Sequence, residues 1–95
     1  MASRAPPRSR LRIYLDLMRS IESEGGRARF SHVLSDANVP YERFLTYLAE
    51  LEERGLIVEE RGEDGNYLVL TDKGRELLRE LKRMEYFLRG FGFSL

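Results

Sequence analysis

The side chains best suited to chemistry in this 95-residue chain are arginines set beside hydroxyl groups. Arg4, Arg8, Arg10 and Arg12 occur with no acid among them, and Arg27 and Arg29 stand just before Ser31. Arg43 falls among Tyr41, Thr46 and Tyr47, and Arg61 lies within EERGEDGN (59–66). A guanidinium presents a planar fork of donors that matches phosphate or the edge of guanine, while Tyr, Thr and Ser hydroxyls reach phosphate oxygens. This pattern points to a polyanion, double-stranded DNA foremost. The candidate contacts are Arg8, Arg10, Arg27, Arg29, Ser31, Tyr41, Arg43, Thr46, Tyr47 and Arg61.

Catalytic chemistry finds no comparable constellation. His32 is the only histidine, and there is no cysteine, so thiolate nucleophiles, disulfides and Cys-based metal sites are excluded. Ser31 beside His32 cannot form a catalytic pair by adjacency, because helix neighbours do not face one another. Gly25-Gly26 and Gly90-Phe91-Gly92 match no phosphate loop. The chain is expected not to be an enzyme and to need neither metal nor cofactor.

Charge is uneven although it sums to zero. Residues 1–30 hold seven Arg against three acids, 31–66 three Arg against nine acids, and 67–95 six basic against four acidic side chains. A polyanion therefore has to meet one face rather than the average. The acids are concentrated in ELEERGLIVEE (50–60) and in 59–66, where four acids surround Arg61. Such a segment repels a phosphate backbone and is expected to contact DNA poorly. Abundant Arg and Glu with no Gln or Cys lean toward a heat-adapted protein. No apolar run approaches the roughly 20 residues of a membrane span, and MASRAPPRSR has no apolar core of a secretory signal. A cytoplasmic protein that does not engage membranes is expected.

The elements that must position these residues follow from periodicity and punctuation. MASRAPPR (1–8) reads as a disordered basic arm. Ser9 caps a first helix with Leu11, Tyr14, Leu17, Met18 and Ile21 at helical spacing, stopped by Gly25-Gly26. RARF (27–30) reads as a brief strand, and Ser31 is expected to cap a short second helix with Val33, Leu34 and Ala37 inward. Pro40 sets the start of a third helix over 41–54, whose inward residues are Phe44, Leu48 and Leu51, with Leu45 and Tyr47 at the flanks; Gly55 ends it. Strand-like runs at 56–60 and 67–71 are separated by RGEDGN, a hairpin signal. Thr71 or Asp72 caps a final helix reaching about Leu88. This order predicts a mainly α chain with a small β-hairpin (α+β): a winged helix-turn-helix domain over 9–71 and a C-terminal helix and apolar tail over 72–95.

The segment ANVPYERFLTYLAELEERGLI, followed by a hairpin and LTDKGRELL, resembles the small archaeal winged-helix proteins. Tyr41, Phe44, Tyr47, Leu48, Leu51, Gly55, Leu56 and Ile57 match that family's third-helix pattern, and Thr71, Lys73 and Gly74 match its second block. The likeness covers roughly residues 10–88 and is more specific for fold than for what is bound. It implies DNA binding through the helix over 41–54 and pairing of two chains through the last helix. At Leu45 and Thr46 the chain departs from the polar or basic residues usual in relatives, which puts base-specific readout in doubt. Leu77, Leu81, Met84 and Leu88, spaced 4, 3, 4, form a coiled-coil seam that Phe91 extends, and these five residues are the expected homodimer interface. The leading expectation is a dimeric DNA-binding protein, a small transcription regulator. The other is a winged-helix module whose acidic face takes a protein partner.

Overall fold

A computed structural model describes residues 8–95, and the expected arm lies outside the described residues except for Arg8. The elements run α1 (Arg10–Ser23), β1 (Arg27–Arg29), α2 (Phe30–Ala37), α3 (Tyr41–Glu53), β2 (Ile57–Gly62), β3 (Gly65–Leu70) and α4 (Asp72–Arg89). This is the expected α+β winged-helix order.

α1 begins where the Ser9 hydroxyl oxygen accepts from the Arg12 amide at 3.0 Å. Ile13, Tyr14, Leu15, Leu17, Met18 and Ile21 are all buried, so this helix is enclosed on most of its circumference. Leu11, expected on the inner face, is exposed instead. Gly25 and Gly26 adopt φ of +85° and +94°, and the Gly26 amide closes the helix end on the Ile21 carbonyl at 3.0 Å.

The β structure is larger than a hairpin. β1 pairs antiparallel with β3, giving a three-stranded sheet in the order β1-β3-β2. The strands of the wing also run further than expected, leaving only Glu63-Asp64 as the turn, between Gly62 and a Gly65 at φ +135°. Ala28, Ile57, Leu68 and Leu70 face the core. The alternate residues Arg27, Arg29, Val58, Glu60, Tyr67 and Val69 share the outer face.

Ser31 does not cap α2. The helix starts two residues earlier than that cap would allow, at Phe30, with Arg29 at the cap position and no side-chain cap bond. The Phe30 ring packs edge-on against Phe44, with centroids 5.2 Å apart, which anchors the first turn from within. Asn38 ends α2 in the left-handed region at φ +55°, and Pro40 precedes α3 as expected. Gly55 stops α3 at φ +73°.

α4 is joined to the end of α3 at one point. The Thr71 hydroxyl accepts from the Gly74 amide at 3.0 Å and donates to the Gly55 carbonyl at 2.6 Å. A Cβ on Gly74 would lie 2.0 Å from the Leu56 carbonyl oxygen, so only glycine permits this approach. α4 turns Leu78, Leu81 and Glu85 inward. The expected seam is therefore split. Leu81 is buried in the chain's own core and Leu77 packs against it, whereas Met84 and Phe91 remain exposed and Leu88 is half-buried. The register differs from the expected one because Leu78, one residue from Leu77, is the side chain that enters the core.

Glu85 is the buried acid that ties α4 to α1. It pairs with Arg12, with Arg19 at 3.0 Å, and with Arg89 at 3.7 Å. Burial pushes its carboxyl upward, but Arg12, then Arg19 and Arg89, more than offset this and hold it below the usual carboxylate range.

Two stability outcomes are expected. Gly74→Ala should destabilise the fold by about 1–3 kcal/mol through overpacking against the Leu56 backbone, despite alanine's better helix propensity. Glu85→Gln should cost about 1–3 kcal/mol near neutral pH, because three arginines lose their shared acceptor. Since the folded carboxyl is depressed, this stabilisation is fully present above the unfolded carboxyl value and is lost as pH falls through the lower folded one. Thermal unfolding of wild type and Glu85→Gln across pH should show a gap that closes only in acid.

Candidate nucleic-acid interface

The solvent face of α3 carries Tyr41, Glu42, Arg43, Leu45 and Thr46. Tyr41 is 55% exposed, and Thr46 donates to the Glu42 carbonyl at 3.2 Å, which leaves its oxygen on the surface. Arg43 pairs with neither Glu42 nor Glu50. Its guanidinium donates to the Tyr47 hydroxyl at 3.0 Å and has no ion pair among the described residues. It stands within the first turn of α3, where the helix dipole also favours an anion.

Tyr47 is not itself a surface contact. Its ring is 8% exposed and meets Tyr14 edge-on, with centroids 6.2 Å apart. The helical spacing that puts Phe44, Leu48 and Leu51 inside carries Tyr47 in with them. Its hydroxyl reaches the surface only to hold Arg43, so its role is positional. Beside it, the Tyr14 hydroxyl donates to Glu50, which also accepts from Arg10 at 3.2 Å. Burial, and then Glu50, raise the Tyr14 hydroxyl above its usual value. Glu50, part of the acidic run, is thereby neutralised within the fold.

The arginines just before and in the first turn of α1 are engaged in the same manner. Arg8 pairs with Asp16 at 2.8 Å and donates to the Ala37 and Asn38 carbonyls at 2.6 and 3.3 Å, capping the C-terminal end of α2. Arg12 pairs with Asp16 at 3.2 Å as well as with Glu85. Arg8 and Arg10 thus hold elements together, and the acid-free stretch finds its acids across the fold.

Arg27 and Arg29 lie on the outer face of the sheet, and Arg29, although at the cap position of α2, turns its side chain to the wing rather than to that helix end. Arg27 donates to Glu60 at 2.9 Å, and its guanidinium sits 3.7 Å above the Tyr67 ring centroid. Arg29 pairs with the Asp64 carboxylate and donates to the Asp64 carbonyl at 3.2 Å. The Glu60 hydrogen bond raises the Arg27 guanidinium above its usual value. The Tyr67 hydroxyl, followed by Arg29 and Arg27, lowers the Asp64 carboxyl. Half the acids of the wing are consumed here, and Glu59 and Glu63 have no ion pair among the described residues. Arg61 is exposed and likewise has none. Ser31 is exposed in the first turn of α2.

Tyr67, Glu60 and Asp64 were not among the expected site residues. Their part depends on the β1–β3 register, which places Arg29 opposite Tyr67 across 38 residues of sequence, since residue 67 minus residue 29 is 38. Alternation along each strand was visible; the partner strand was not. Among the described residues no group of three or more His, Cys, Asp or Glu could hold a metal ion, and no helix is long and apolar enough to cross a membrane.

Comparison with known proteins agrees with this geometry at the level of fold. Two solved structures are similar: F93 from STIV, described as a winged-helix DNA-binding protein, and Sso10a-2, described as a DNA-binding protein from Sulfolobus solfataricus. The first is 21% identical at a TM-score of 0.70, covering 82% of this chain and 90% of its own. The second is 22% identical at a TM-score of 0.70, covering 90% of each. A comparison with curated protein sequences gives no match. The family model described as winged helix-turn-helix matches residues 7–88, and the chain belongs to that family.

Proposed function

We propose that this chain is a dimeric DNA-binding protein, a small transcription regulator that docks α3 in the major groove. The observation that carries the reading is Arg43. It projects from the exposed first turn of α3, is free of acids, and is held in place by Tyr47. In a helix-turn-helix, the N-terminal residues of the second helix of the motif meet base edges and flanking phosphates. Tyr41 and Thr46 stand on the same face as Arg43, and Arg61 supplies the wing's free cation. The fold, and the DNA-binding descriptions of two similar structures, support the same reading.

Pairing through α4 is supported by what its own domain leaves uncovered. Met84, Tyr86, Phe87, Phe91 and Phe93 are exposed, Phe87 and Phe91 by 64% and 66%, and those two rings lie 5.2 Å apart. Apolar surface of this extent on the end of α4 and the tail that follows it is characteristic of a partner surface. The seam that does this is Met84, Phe87, Leu88 and Phe91, with Leu77 at its margin and Leu81 inside. A protein-binding role through the acidic side has one observation in its favour: Glu52, Glu53, Glu59 and Glu63 are exposed and have no ion pair among the described residues, which suits a basic partner.

Titration of generic duplex DNA across a salt series tests the first reading. Log K should fall linearly with log salt, and Arg43→Ala should weaken binding across sequences and reduce the slope by about 1. Absence of binding at about 50 mM salt would overturn it, since electrostatic affinity is large at that ionic strength. For pairing, sedimentation of the full chain should report twice the 11.1 kDa chain mass, and Phe87→Glu should return it to one. A monomeric wild type at tens of micromolar removes the dimer from the proposal.

A further inference from the structure

The outer face of the sheet holds two arginines that are each already paired with a carboxylate of the wing. Arg27 meets the Glu60 carboxylate at 2.9 Å, and Arg29 meets that of Asp64. A carboxylate presents a guanidinium with the same kind of paired oxygen acceptors as a phosphate. These pairs are open to solvent, with side chains 49% and 49% exposed in the first and 40% and 56% in the second. Exposed pairs of this kind contribute little to folding and are screened by salt, so their exchange for another anion is inexpensive.

The guanidiniums do not depend on the carboxylates for their positions. Arg27 is stacked on Tyr67 at 3.7 Å, and Arg29 is also anchored by the Asp64 main-chain carbonyl at 3.2 Å. The Asp64 carboxylate has its own second anchor, the Tyr67 hydroxyl, which donates to its two oxygens at 2.9 and 3.0 Å. Both sides of the pair can therefore separate and remain placed.

We propose that Glu60 and Asp64 are resident competitors of DNA. Each neutralises its arginine through a single contact, at Nε of Arg27 and at one terminal nitrogen of Arg29, and the duplex backbone must displace it to pair with the whole guanidinium. The proposal rests on the DNA-binding reading above and assigns the acidic wing an active part in it, as the element that limits affinity and flattens salt dependence. When Arg27 or Arg29 exchanges a carboxylate for a phosphate, the freed carboxylate stays beside the DNA. Its charge cancels the counterion release that the arginine would otherwise contribute.

The test compares the double variant Glu60→Gln with Asp64→Asn against Glu59→Gln with Glu63→Gln. Both remove two negative charges from the same wing, but only the first frees arginines. Amides keep the shape, and Asn is well tolerated in a turn, so thermal unfolding should match wild type. The first pair should bind generic duplex at least about tenfold more tightly than the second at 0.1 M salt, with a slope steeper by up to about 2. Adding Arg27→Ala and Arg29→Ala should abolish the gain. Equal affinity and slope for the two double variants overturns the proposal. If wild type binds with an Arg43-dependent slope and this comparison is flat, only the competitor role fails. If neither wild type nor the freed variant binds, the DNA-binding reading fails with it.

Discussion

Everything else in this molecule is arranged around α1. Its apolar residues Ile13, Leu15, Leu17, Met18 and Ile21 are 3% exposed or less, which leaves only a narrow polar strip at Asp16 and Arg19 along the middle of the helix. A chain of 95 residues has little apolar area to spare, so one largely enclosed helix is the condition under which the remaining elements can share a core. The polar residues of the same helix are equally committed. Asp16 takes Arg8, Ser20 donates to Asp36 at 2.8 Å, Glu22 takes Lys82 at 2.8 Å, and Arg12 and Arg19 converge on Glu85. α2 and α4 are thus attached to α1 both by packing and by charge.

This organisation explains how a chain of zero net charge with strongly unequal thirds stays compatible with a polyanion. The basic N-terminal third and the acidic middle third meet in space: Arg10 with Glu50, Arg27 with Glu60, Arg29 with Asp64. What is left over, rather than what is present, defines the electrostatic surface. Arg43, Arg54 and Arg61 are left over at α3 and the wing, with Glu42, Glu52, Glu53, Glu59 and Glu63 opposing them. A reading that counts charges along the chain overestimates both the attraction of the arm and the repulsion of the wing.

Local signals were legible in the sequence because their causes are local. Ser9 and Thr71 cap helices, Gly25-Gly26 and Gly55 stop them, and the 3.6-residue period marks Phe44, Leu48 and Leu51 as inward. The failures share one physical origin, which is that the deciding partner is far away in sequence. Phe44 determines where α2 starts and so displaces Ser31 from the cap. Tyr47, at the margin of the inward face of α3, is covered there by Tyr14. The enclosure of Leu78 and Leu81 rotates the free stripe of α4 toward Met84 and Phe87. Among the candidate contacts, Arg43, Tyr41, Thr46 and Arg61 keep free surfaces because they project from the solvent side of their own element.

The Thr71 joint has a mechanical meaning beyond capping. One hydroxyl is bonded on one side to the last turn of α3 through Gly55 and on the other to the first turn of α4 through Gly74, and the Leu56 carbonyl rests against the bare Gly74. No flexible side chain intervenes between the two helix ends. Because α4 is itself fastened to α1 through Glu85 and Lys82, the C-terminal end of α3 inherits that attachment through the joint. The far end of the candidate recognition helix is thus braced against α1 by a route that passes outside its own apolar face.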